Sequence, residues 1–125
     1  MNSLRCLALA FAVLLFGCGR THAGPPTLVE QGRKLYESRG CQSCHSVDGS
    51  ANTGPTWKGV YGSSVKLSDG STVVADDSYL TESILDPSAK TVDGFKEGVM
   101  AATIKPGSIS ERDVRALIAY MRSLR

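Results

Sequence analysis

Cys41-Gln42-Ser43-Cys44-His45 constrains this 125-residue chain more than any other feature. Two thiols three residues apart, with an imidazole directly behind them, form Cys-x-x-Cys-His, the attachment signal for haem c. Both thiols can add to the vinyl groups on one edge of a porphyrin. The histidine that follows is then held beneath the iron as its proximal ligand. Other Cys and His chemistries need partners that the sequence does not offer. A structural zinc site takes four protein ligands, and the only other histidine, His22, lies in or beside an apolar leader. A thioredoxin-like redox pair belongs in a βαβ pattern, of which there is no sign. A plain Cys41–Cys44 disulfide leaves His45 without a role. The expected product is a chain wrapped around one covalently attached haem.

The other two cysteines, Cys6 and Cys18, belong to the leader. Residues 1–17 read as a signal peptide: a short polar start with Arg5, then ten apolar residues from Leu7 to Phe16. That run is shorter than the roughly 20 residues that span a bilayer, and it suits a signal-peptide core. Two cleavage points compete. Leu15-Phe16-Gly17-Cys18 resembles a bacterial lipobox, which would leave a lipid on Cys18 as the new N-terminus. Thr21-His22-Ala23 instead resembles a signal-peptidase site, with release after residue 23. Either way the expected destination is outside the cytoplasm: the periplasm or the outer side of the cytoplasmic membrane, lipid-anchored in the first case. The expected layout is a leader over 1–17, a linker over 18–26 and a single domain over 27–125.

Charge narrows the partners. The chain has 14 Lys and Arg against 12 Asp and Glu, and charged residues make up 21%. Losing Arg5, or Arg5 and Arg20, with the leader brings the remainder close to neutrality. This balance excludes a basic module that binds nucleic acid by neutralising phosphates, and it excludes a disordered charged tail. Two readings stand for Lys58, Lys66, Lys90, Lys96 and Lys105: a ring around the edge of the haem or, as is usual for scattered lysines, solvated surface; they do not amount to a docking patch.

Local signals place the elements. Thr27 with Glu30 three residues on has the pattern of a capping box, opening a helix to about Arg39, where Gly40 is suited to end it. Residues 46–75 read mainly as loop. Within them, Val65–Leu67 and Thr72–Val74 flank Ser68-Asp69-Gly70-Ser71 as a small hairpin. Asp76-Asp77-Ser78 can cap a short helix, about Asp77 to Leu85, that Pro87 prevents from continuing. Residues 86–108 read as irregular and contain Met100. Ser110 and Asp113 cap a last helix, in which Val114, Leu117, Ile118, Met121 and Leu124 make one apolar stripe. So few aromatic residues and so much loop leave a thin core for a domain of this size, and a buried cofactor would fill it.

At these residues the chain resembles the class I cytochrome c family. Gly32, Tyr36, Gly40 and the Cys41–His45 motif match the family's first helix and haem site. Gly54-Pro55-Thr56, Val60-Tyr61-Gly62, Asp69-Gly70-Ser71-Thr72-Val73, the run from Tyr79 to Pro87 and Leu117-Ile118-Ala119-Tyr120 are similar to the cytochrome c domain fused to subunit II of some bacterial haem–copper oxidases, here standing alone. The resemblance spans residues 27–125. It implies an all-α fold of a few helices and long loops around one haem. It also implies that Met100 is the distal iron ligand opposite His45, with Met121 left to the core. The Pro55 carbonyl would then accept the imidazole N–H of His45. Trp57 stands where relatives often carry an aliphatic residue, and two roles stay open for it: packing on the haem edge, or donating its indole N–H to a propionate. Tyr36 and Tyr120 would join the first and last helices, with Gly32 permitting close approach.

The function implied is one-electron transfer rather than enzymatic turnover, because an iron with both axial positions filled has nowhere for oxygen or peroxide to bind. The expected protein is a monomer serving redox partners such as membrane oxidase or reductase complexes. Two alternatives stand beside it. Ala101-Ala102 follow Met100 where the family commonly has Pro, which leaves open a peroxidase or gas sensor with a displaceable methionine. A lipid on Cys18 would favour a tethered subunit of a membrane redox complex.

Overall fold

A computed structural model describes residues 24–125. The leader, both cleavage points, Cys18 and most of the linker lie outside the described residues. The order of elements is α1 (Leu28–Ser38), a single 3₁₀ turn (Cys41–Ser43), β1 (Ser64–Lys66), β2 (Thr72–Val74), α2 (Asp77–Leu85), α3 (Val99–Thr103) and α4 (Glu111–Ser123).

Helix α1 opens on the predicted capping box. The Thr27 hydroxyl accepts from the Glu30 N–H at 3.2 Å, and the Glu30 carboxylate accepts from the Thr27 N–H at 2.7 Å. Gly40, at φ +74°, turns the chain out of the helix in a left-handed conformation that only glycine adopts without cost. Ser110 caps α4 in the same manner as Thr27, accepting from the Asp113 N–H at 3.1 Å. The stripe on α4 is buried at Val114, Leu117, Ile118 and Met121, together with Ala116 and Tyr120. Helices α1 and α4 cross at Gly32. A Cβ there would collide with the Ala116 carbonyl oxygen and lie 2.7 Å from the Tyr120 Cβ, so the absence of a side chain sets the interhelical distance.

Between these helices the chain makes two excursions. In the first, β1 and β2 pair antiparallel with Val65 opposite Val73. The hairpin begins one residue earlier than expected. Leu67 already belongs to the turn, where Asp69 accepts from the Ser71 N–H and hydroxyl, and it forms a bridge to Val92 instead. Its side chain is buried, so a contact distant in sequence decides its place. In the second excursion, α2 has the predicted bounds, with Asp76 accepting from the Tyr79 N–H at 2.9 Å. Residues 86–108 are not wholly irregular, because α3 lies within them and includes Met100. Five residues are too few to show a helical period, and the start is set by the left-handed Gly98 (φ +77°) rather than by a side-chain cap. The core gathers Trp57, Leu80, Ile84, Ile109 and the buried face of α4, and one large crevice opens beside it.

Candidate haem site

The 3₁₀ turn after α1 shapes the motif. Backbone N–H groups of Ser43 and Cys44 donate to the carbonyls of Gly40 and Cys41, at 3.1 and 3.2 Å. Side chains at i and i+3 eclipse in such a turn, so Cys41 and Cys44 project to one side. Both are unpaired and half-buried. Burial also raises the pKa of the Cys41 thiol.

His45 is held from several directions. Its Nδ1 lies 2.8 Å from the Pro55 carbonyl oxygen. Since a carbonyl only accepts, Nδ1 carries the proton and the Nε2 lone pair is free. Nε2 has no hydrogen bond among the described residues. Among the described residues no buried side-chain nitrogen or oxygen lacks a partner, so Nε2 is open to the crevice that the ring lines. Burial lowers the imidazole pKa below its ordinary value and so favours the neutral ring, while the hydrogen bond to the Pro55 carbonyl acts in the opposite direction. Gly54 packs against the ring so closely that a Cβ would sit 2.6 Å from Cε1.

The loop that carries Gly54 and Pro55 is stitched to the motif. The Gly54 N–H donates to the Cys44 carbonyl and the Trp57 N–H to the Ser46 carbonyl, both at 2.8 Å. The His45 carbonyl, lying between those two, accepts instead from the Tyr36 hydroxyl at 2.6 Å. Trp57 is buried among aromatic rings, with centroids 4.9 Å from Tyr36, 5.6 Å from His45 and 6.4 Å from Tyr120.

All of these pieces meet at one crevice of about 510 Å³, within the range of roughly 300–1,000 Å³ of small-molecule sites. Cys41, Cys44, His45, Pro55, Trp57 and Met100 all line it. Met100 reaches it from α3, half-buried and packed against the core, and Met121 lines it from the α4 stripe. Two unpaired thiols, an open imidazole nitrogen, a thioether and a largely apolar surround fit a porphyrin held covalently at its edge. They do not fit a bare ion: among the described residues no three His, Cys, Asp or Glu side chains are placed to hold one. Four of the five scattered lysines, Lys58, Lys66, Lys90 and Lys96, also border the crevice, while Lys105 is not among its lining residues. Lys66 is paired with Asp93 and Lys90 with Glu82.

The family model of cytochrome c matches residues 29–125. The chain belongs to the cytochrome c family. It therefore binds haem c covalently, and it is a c-type haem electron-transfer protein that passes electrons to redox partners. No curated protein matches the chain. The four helices and small hairpin found here are those of the class I cytochrome c fold.

One contact was missed in the sequence. The sequence places Tyr36 in helix packing, and its ring does pack on Tyr120 at 5.6 Å. Its hydroxyl serves the site. The available signal is its position, near the end of α1 and five residues before Cys41.

Proposed function

We propose that this protein is a monohaem, monomeric one-electron carrier in which Cys41 and Cys44 would form the two thioethers and His45 and Met100 would bind the haem iron. One observation carries the reading: a single crevice is lined by both thiols, by an imidazole nitrogen open to it and by the Met100 thioether. The haem supplies the iron whose one-electron change is the chemistry. The protein residues do the rest. Pro55 and Gly54 fix the orientation of the His45 ring and hold its proton on Nδ1, so that the ligand is the same in both oxidation states. Met100 contributes a neutral, soft sulfur, which favours the reduced metal and raises the potential. The apolar lining limits water and so keeps reorganisation small. No proton transfer is required of any side chain, and the role is that of a carrier, not an enzyme.

The spectrum tests this directly. The oxidised protein should show a low-spin haem with a methionine–ferric charge-transfer band, and the reduced protein should not respond to carbon monoxide. A high-spin spectrum or ready carbon monoxide binding would remove Met100 as a ligand and bring the peroxidase or gas-sensor reading forward.

The proposal extends to location. Residues 1–17 serve as a signal peptide, Cys18 as a lipidated N-terminus and residues 18–26 as a linker. The haem domain then stands on the outer side of the cytoplasmic membrane, near oxidase or reductase complexes, and the similarity to the domain fused to oxidase subunit II supports such partners. No helix among the described residues is long and apolar enough to cross a membrane. Retention in washed membranes, lost in Cys18→Ala, is the expected result. Release of both forms would favour cleavage after residue 23.

A further inference from the structure

We propose that Tyr36 is a positioning residue for the His45 imidazole, its hydroxyl tying the ligand's own backbone to the contact between α1 and α4. The inference rests on His45 being an iron ligand, and deepens that reading.

Three successive carbonyls, those of Cys44, His45 and Ser46, bracket the ligand. The outer two accept backbone N–H groups from the 54–57 loop. The middle one, on the ligand itself, has a side chain from another element as its donor: the Tyr36 hydroxyl at 2.6 Å, toward the short end of the O–H···O range. The hydroxyl is not free to swing away. The residue is only 7% exposed, its ring wedged between Trp57 at 4.9 Å and Tyr120 at 5.6 Å. Tyr120 in turn sits where Gly32 lets α4 approach α1 most closely. A phenylalanine would fill the same space and make the same ring contacts, so the hydroxyl adds only the bond to His45.

The imidazole is therefore set by two kinds of restraint. Pro55 and Gly54 act on the ring, while Tyr36 acts on the backbone from which the ring hangs. The bond also has an electrostatic consequence. The hydroxyl hydrogen offsets the negative end of the His45 carbonyl dipole. Without it that negative end is left beside the ligand, where it favours the more positive, oxidised metal. Loss of the hydroxyl should lower the reduction potential.

The test compares three holoproteins: wild type, Tyr36→Phe and Tyr120→Phe. Each variant removes one hydroxyl from the same aromatic cluster, but only the first removes a bond to His45. The expected result is covalent low-spin haem in all three, with a lower reduction potential and displaced His45 ring resonances in Tyr36→Phe alone. An unchanged potential in Tyr36→Phe, or an equal shift in Tyr120→Phe, would overturn the inference and leave ordinary helix packing. A readout without substitution guards against a variant that fails to fold. In the wild-type protein the Tyr36 hydroxyl proton should exchange slowly and show scalar coupling to the His45 carbonyl carbon. Rapid exchange without coupling would also overturn it. A wild-type protein lacking an imidazole-ligated low-spin haem would instead overturn the functional reading, and this inference with it.

Discussion

Gly54 shows how much a missing side chain can decide. Its value lies in close approach rather than in an unusual backbone angle, since a Cβ would press on the His45 ring from 2.6 Å. Gly54→Ala should push either the ring or the loop aside. We expect a loss of about 1–3 kcal/mol, the range typical of overpacking, with a change in the imidazole signals of the haem spectrum. Denaturant midpoints of the holoprotein give the first quantity, and a spectrum unchanged alongside an unchanged midpoint would contradict the account. Met100 allows a sharper residue-scale prediction. Met100→Ala should retain covalent haem, because the thioethers are elsewhere, but should convert the iron to a form that binds carbon monoxide. Met121→Ala should keep the ligation and lose stability by about 2–5 kcal/mol, as expected for truncating a buried core methionine.

At the scale of elements, the capping box of α1 couples helix stability to pH. Glu30 has its pKa lowered, chiefly by the hydrogen bond from the Thr27 backbone N–H and then by the Thr27 hydroxyl. A carboxylate depressed in the folded state stabilises the fold above its unfolded pKa. That contribution is lost as pH falls through the folded value. Glu30→Gln, which keeps the Thr27 hydroxyl cap, should therefore destabilise the protein near neutrality and progressively less in acid, as the wild-type carboxylate is protonated. Thermal melts of both proteins across an acid titration check this, and a difference that stays constant down to acid unfolding would refute it. The crossing of α1 and α4 is less forgiving. Gly32→Ala meets backbone, the Ala116 carbonyl, which cannot swing away as a side-chain tip could. It should fall at or above the top of the range given for Gly54→Ala.

For the molecule as a whole, the elements converge on the crevice. Helix α1, the motif turn, the hairpin, α2, α3 and α4 all contribute to its walls or to the core beside it. Without haem the apolar walls of this crevice face water, and the burial that the porphyrin supplies is lost from a class of domain whose net stability is only about 5–15 kcal/mol. A Cys41→Ala/Cys44→Ala chain made without haem should thus lack cooperative unfolding and protect few amides from exchange. A cooperative, well-protected haem-free chain would show that the aromatic cluster and α4 suffice.

Sequence alone determined what local chemistry can specify. The Cys41–His45 motif declared its cofactor, because adjacent residues carry the whole attachment signal. Thr27 with Glu30, Asp76 and Ser110 marked three helix starts, because a cap joins a side chain to a backbone N–H only two or three residues away. The stripe on α4 was legible because burial of one helix face repeats along the chain. Tertiary structure decided what joins distant parts. The short α3 around Met100 has too few residues for a period, and Leu67 left its expected strand to bridge Val92. The pressure of Gly54 on the His45 ring, the gathering of four lysines at the crevice and the reach of Tyr36 to the His45 carbonyl depend on how separate segments pack. A sequence lists donors and acceptors, but only the folded chain brings a hydroxyl on one helix within 2.6 Å of a carbonyl nine residues later.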